Sequence, residues 1–228
     1  MPIAHDQTQQ SAVTASDLLT WQHTCTGSDR ILIVAVARRA DGLVYGITYH
    51  GVPLTKIRSE TVTNPAIMTV ELWRLVNPDT GGAWDIVVDW VAAGSGHDAS
   101  NHHVGASVSF TGVDQSYPID AQNGEVGSSS GATTSIDVLT VADNAWVIDA
   151  LAHFGNNVTA NSPSTSRSDR DSIGPGSDCF GVSTYGPKTP AGTVSMGWNT
   201  DDNGYTHIAV SLKPAVLGLK KRSLLTIF

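Results

Sequence analysis

Apolar residues in this 228-residue chain recur with a period of two and nowhere hold a period near 3.6, which excludes a helical fold and calls for strands. The stretch Val104 to Asp120, VGASVSFTGVDQSYPID, shows the pattern most clearly. Val104, Ala106, Val108 and Phe110 alternate with Gly105, Ser107, Ser109 and Thr111, giving a strand with one apolar face and one face of small polar residues. At Gly112 the alternation gives way to a turn carrying Asp114, Ser116 and Pro118, residue types that bend the backbone or cannot donate to a central ladder.

The same unit recurs along the chain. A first strand is predicted at Leu18 to Thr24. Arg30 to Arg38, RILIVAVAR, is an unbroken apolar run between arginines, too short for a helix and rich in β-branched residues, so it is predicted as a central strand buried on both faces. Val44 to Tyr49 and Val52 to Ile57 should pair as a hairpin around His50-Gly51. Further strands are predicted at Ile67 to Val76, Trp84 to Val91, Ser135 to Val141, Ala145 to His153, Asp178 to Tyr185, Thr193 to Asn199 and Tyr205 to Lys213. Three stretches lack alternation: residues 1–16, expected to be an N-terminal arm; the Gly- and Ser-rich run from Asp120 to Thr134, expected to be a crossing loop; and Gly155 to Ser172, expected to be a polar loop. About a dozen short strands at this spacing predict an all-β fold, an antiparallel two-sheet β-sandwich over residues 17–214, followed by a tail at 215–228.

Composition narrows the partners. A formal charge of −8 argues against a nucleic-acid surface, which needs clustered Lys and Arg, and only Lys220 to Arg222 form such a cluster. No run of eighteen apolar residues exists, so no membrane span is predicted. The N-terminus lacks the basic and apolar regions of a secretory leader. A chain of this composition without such a leader is expected on a virion or an extracellular surface. Cys25 and Cys179 have no metal-type spacing and leave two readings, separate buried thiols or one long-range disulfide.

The two halves echo one another in outline. DRILIVAVA from Asp29 matches NAWVIDALA from Asn144, WDIVVDW ending at Trp90 matches GTVSMGW ending at Trp198, and Val108-Ser109-Phe110 matches Val210-Ser211-Leu212. This suggests a two-fold pseudo-repeat whose halves interlock in one sandwich. The series LIVAVA, GVPLTKI, VELWRLVNP, ASVSFTGVDQ and IAVSLKP resembles a jelly-roll or lectin-like β-sandwich module of phage virion proteins and bacterial surface proteins. The resemblance spans about Leu18 to Pro214 and implies a structural or adhesive role, with homo-oligomeric or other virion partners; it brings no catalytic residues and no cofactor.

Candidate chemistry is sparse. Gly127-Ser128-Ser129-Ser130-Gly131 spells a nucleophile-elbow motif but lies in a Gly- and Ser-rich run without the required strand and helix. Glu60 and Glu71 fall on neighbouring strands, where exposed strand-face charges are expected rather than a glycosidase pair. Asp98 and His102, beside His97 and His103, precede one strand, and Asp201 and Asp202 precede its counterpart in the other half. If the halves correspond, these loops meet at one end and offer oxygen and imidazole ligands to an ion. Tyr117, Phe154, Tyr185 and Tyr205 are candidates for stacking on surface glycans. Asn157-Val158-Thr159 is a formal glycosylation sequon. The tail is the most distinctive feature. Leu217 and Leu219, then Lys220, Lys221 and Arg222, then Leu224, Leu225, Ile227 and Phe228 form an apolar, basic, apolar segment that is expected to dock on a neighbouring subunit.

Overall fold

The computed structural model describes residues 1–14, 18–39, 43–65, 67–91, 102–128, 133–155, 158–161, 163–171, 178–200 and 204–216. These residues contain strands and no helix, as the period-two pattern predicts. The first half carries β1 (Ala4–Gln10), β2 (Leu18–Thr24), β3 (Ile31–Arg39), β4 (Leu43–Tyr49), β5 (Val52–Pro53), β6 (Thr55–Val62), β7 (Met68–Val76), β8 (Ala83–Val91) and β9 (His103–Thr111). The second carries β10 (Ile119–Ser128), β11 (Thr133–Leu139), β12 (Ala145–Phe154), β13 (Thr159–Ala160), β14 (Thr165–Asp171), β15 (Asp178–Lys188), β16 (Thr193–Asn199) and β17 (Gly204–Leu212).

Each half builds one large and one small antiparallel sheet. The large sheets have the orders β1-β9-β3-β7-β6 and β10-β17-β12-β15-β14, and the small ones β2-β8-β4-β5 and β11-β16-β13. Taken in chain order, the two large sheets follow the same path. The stretches that echo in sequence occupy equivalent places: β3 and β12 at the centre, β9 and β17 beside them, β8 and β16 in the small sheets.

Alternation explains the layering. On β3, Ile31, Ile33, Ala35 and Ala37 enter a core shared with Ile148, Ala150 and Ala152 of β12, while Leu32, Val34 and Val36 face Trp21, Ile47, Ile86 and Val88 of the first small sheet. Val147 and Leu151 of β12 likewise face the second small sheet. The two large sheets therefore lie face to face in the middle, each covered on its outer face by its own small sheet. This corrects the expectation of interlocking halves, since among the described strands none pairs into the other half's sheets. Five strands can form a complete sheet because β1 and β10 supply edges that apolar periodicity does not reveal.

Those edges account for the other corrections. Residues 4–10 of the expected arm are β1, residues 119–128 of the expected crossing loop are β10, and the expected loop from Gly155 to Ser172 contains β13 and β14. Edge strands are held by backbone pairing on one side and need no apolar face, so polar sequences such as AHDQTQQ serve. The hairpin at His50-Gly51 forms, with φ of 50° and 76° at the two turn residues, the left-handed pair that a tight turn requires. It ends at Pro53, however. Leu54 turns into the first half's inner core, and β6 continues in the large sheet rather than the small one.

Cys25 and Cys179 are both buried thiols in different halves and are not joined as a disulfide. Burial pushes the Cys25 thiol up to about 11.

Candidate functional site

The strands run so that the molecule has two unlike poles. At one pole lie the described strand ends Arg39, Met68, His103, Phe154, Asp178 and Gly204, which the registers place side by side within each half. The halves meet there through an ion pair, Arg39 Nη1 to Asp178 Oδ2 at 2.7 Å, with the carboxylate almost fully buried. Burial raises the Asp178 pKa, and the neighbouring Arg39 opposes that rise. The Arg39 guanidinium also sits 5.8 Å from the centre of the Phe154 ring. Beside it Arg38 lies over the Trp90 ring at 5.5 Å, and Trp90 stacks on His103 at 4.4 Å. His153 is fully buried near the same ion pair.

Of the residues predicted for ion binding, His102 is half-buried at this pole, and its carbonyl accepts from the Arg39 N–H at 3.2 Å. Asp98, Asp201 and Asp202 lie outside the described residues. The strands that follow them, β9 and β17, both start at this pole. Among the described residues no three His, Cys, Asp or Glu side chains come together as a metal site. Sequence reasoning treated Arg38 only as the boundary of an apolar run and overlooked Asp178. The available signal was an Arg-Arg pair at the end of a strand buried on both faces.

At the opposite pole the chain after β17 is fastened to the turn after β9. Ala215 N–H donates to the Gly112 carbonyl at 2.8 Å, Val113 and Pro214 form a bridge, and Lys213 lies 3.5 Å from the Asp114 carboxylate. Backbone N–H groups of Tyr117 and Ser116 hold the Asp114 carboxyl below its ordinary range. Gly112, at φ 72°, lets the Pro2 carbonyl lie where a side chain would stand, so the first residues are packed here too. Tyr117, Leu139, Val141 and Val216 are exposed at this pole. The tail residues Leu217, Leu219, Lys220, Lys221, Arg222, Leu224, Leu225, Ile227 and Phe228 lie outside the described residues.

Two buried polar networks each join a small sheet to its large one. In the first half Trp21 Nε1 donates to Ser107 Oγ at 2.9 Å, Ser107 meets His23 Nδ1 at 2.9 Å, His23 Nε2 meets Ser109 Oγ at 3.0 Å, and Ser109 donates to Asp6 at 2.8 Å. Because the Ser109 proton goes to the carboxylate, Ser109 accepts from His23 Nε2–H, and Nδ1 must accept from Ser107. Burial pushes the His23 pKa down to about 4, in keeping with this neutral tautomer. Burial alone would raise the Asp6 pKa; the hydrogen bonds from Thr26 and Ser109 outweigh it and hold the carboxyl low. In the second half Asp149 accepts from Ser183 N–H at 3.0 Å, Ser183 Oγ at 2.6 Å, Trp198 Nε1 at 2.8 Å and His207 Nε2 at 2.8 Å, all out of contact with solvent.

Neither network is arranged for nucleophilic chemistry. Ser107 touches an imidazole but is fully buried, and Ser183 donates to the carboxylate rather than to a base. Glu71, expected on an exposed face, is buried and bonded to Trp73 Nε1 at 2.7 Å and Lys56 Nζ at 3.0 Å, while Glu60 pairs with Arg58. Of the four aromatics considered for glycan stacking, Tyr117 is exposed, Tyr185 is half-buried, and Phe154 and Tyr205 are buried. Comparison with family models, curated proteins and solved structures finds no match for this chain.

Proposed function

We propose that the chain is a non-enzymatic structural protein of a virion, a capsid-decorating or tail-associated β-sandwich that attaches through residues 217–228 and presents its opposite pole outward. The observation that carries this reading is the separation of the poles. The backbone leading to the apolar and basic tail leaves from one end, anchored by the Ala215 to Gly112 hydrogen bond. The residues flanking 92–101 and 201–203 lie at the other. Four stacked sheets, with one apolar core between the large sheets, one inside the first half and two inside the second, give a stiff connection from one pole to the other. The exposed Tyr117, Leu139, Val141 and Val216 place large apolar side chains at the attaching end.

Removal of residues 217–228 tests the proposal in particles assembled with the truncated chain. Incorporation should be lost while the far-ultraviolet signature of the β fold and the thermal midpoint stay unchanged. Normal incorporation of the truncated, folded protein would overturn the attachment mechanism.

A further inference from the structure

Register makes the edge strand β10 the counterpart of β1. Phe110 of β9 pairs with Ile31, and Leu212 of β17 pairs with Trp146; just before those partners Asp29 and Asn144 both turn through left-handed φ angles, 52° and 63°. His5 of β1 stands opposite Phe110 as Ile119 of β10 stands opposite Leu212, and each strand shifts register immediately afterwards. At one rim β10 faces β6, with Gly124 against the Arg58 and Glu60 side chains; at the other β1 faces β14, with Ser168 donating to Gln10 at 2.8 Å. Because β14 is the counterpart of β6, the operation that carries β1 onto β10 also carries β10 back onto β1. The two large sheets are thus related by a half-turn.

That relation assigns a strand position to the tail. After β9 the chain turns through 112–118 and enters the second large sheet as its edge strand β10. Lys221 stands as far after Leu212 in sequence as Ile119 stands after Phe110, so residues 221–228 correspond to 119–126. By the half-turn their position is that of β1, on the outer edge of β9. The register of β10 on β17, carried over, sets Leu224 opposite Val108, Leu225 opposite Ser107 and Phe228 opposite Val104. β1 sets Thr8 and Gln9 opposite Val108 and Ser107. Val104 and Val108 belong to the central core, so the tail offers leucine and phenylalanine along an edge that β1 covers with a polar sequence. Beyond its backbone ladder, β1 is held by polar contacts of Asp6 with Thr26 and Ser109 and of Gln10 with Ser168.

We infer that the outer edge of β9 is the docking site for residues 221–228 of a second copy of this chain, which enter as a strand in place of the receiving copy's β1. The inference rests on the reading that the tail attaches to a neighbour, and it names the surface that receives it. The tail leaves from the pole at which β9 ends, where Ala215 bonds to Gly112, and residues 217–220 can span about 14 Å. Two copies meeting at that pole can therefore exchange tails reciprocally, in a closed two-fold pair.

Two full-length single variants, Thr111→Cys and Lys220→Cys, test this when mixed and oxidised in air. The carried-over register sets positions 111 and 220 side by side, as it does Lys213 and Pro118, and the native Cys25 and Cys179 are buried. A disulfide between the two chains should form about tenfold faster than one between Lys220→Cys and Gln122→Cys, which lies on the exposed β10 edge. Asp6→Ala, added to the Thr111→Cys chain, should speed it about fivefold by loosening β1. A chain carrying both cysteines should cross-link into dimers. In the unsubstituted chain, amide protection along residues 4–10 should fall as concentration rises, and removal of residues 217–228 should restore it. Equal rates at positions 111 and 122, closure within one doubly substituted chain, no effect of Asp6→Ala, or concentration-independent protection of β1 would overturn the inference. Formation of the disulfide by a chain whose truncated form still enters particles would remove the attachment role and leave the strand site standing.

Discussion

Both halves fasten their small sheet to their large one with a tryptophan laid against a glycine, yet they surround that contact with opposite chemistry. In the first half Trp21 of β2 lies on Gly105 and donates to Ser107. In the second, Trp198 of β16 lies on Gly181 and donates to Asp149. The first network is a directed chain of neutral groups that runs outward through His23 and Ser109 to Asp6 on the edge strand β1. The second is a closed knot in which four donors fill one buried carboxylate, with nothing leading to the surface. Each half therefore packs an indole on a glycine at a different place in the shared strand path, since Trp21 and Gly105 lie on β2 and β9 whereas Trp198 and Gly181 lie on β16 and β15, the counterparts of β8 and β7. The consequence is unequal sensitivity: the first half depends on protonation states near its surface, and the second depends on one side chain.

Removing that side chain should have the largest effect. Asp149→Ala strands the Trp198, His207 and Ser183 donors in a dry interior and should cost about 4 kcal/mol or more in chemical denaturation, enough to unfold a marginal domain. Acid should act on the other half. His23 titrates at about 4 in the folded chain against an ordinary 6.5, so the unfolded state binds its proton more readily between those values. The stability contributed by neutral His23 is complete above about pH 6.5 and falls as pH drops toward 4, by about 3 kcal/mol in all. Asp6, held low in the folded chain, adds a further loss only as pH falls below its unfolded value near 3.8. His23→Gln should flatten the first part of that pH profile in equilibrium unfolding.

The glycine contacts come next. A Cβ at Gly181 would stand 2.4 Å from the Trp198 ring, and one at Gly105 would stand 2.6 Å from Trp21. Gly181→Ala and Gly105→Ala should each cost about 2 kcal/mol by thermal or chemical unfolding, because the two contacts are similarly tight. Ser107→Ala should cost least, about 1 kcal/mol, because the Trp21 and His23 nitrogens lose one partner while the ring packing remains.

Legibility in the sequence follows the same division between core and edge. Strands with an apolar face were readable because burial enforces alternation, and RILIVAVAR declared its double burial through the absence of any polar break. The edges β1, β10 and β14, and the second half of β6, were not readable. Their cohesion comes from backbone pairing and from single polar contacts such as Gln10 to Ser168, which leave no periodic trace. The candidate sites divide likewise. His102 stood out because histidines cluster in the sequence, whereas the Arg39 to Asp178 pair joins residues 139 positions apart that only the stacking of the halves brings together. Glu71 was misjudged because one buried acid on a strand face reads like an exposed one until Lys56 and Trp73 are seen around it.

Hydrogen exchange resolved by residue, at pH 7 and again at pH 5, tests most directly the claim that the same path is held by different chemistry. Amide protection along β1 and at Ser11, which donates to the Gly105 carbonyl, should fall sharply at the lower pH after correction for intrinsic rates, while β17 and β12 around Asp149 keep theirs. Equal loss of protection in both halves, or none in β1, would contradict it.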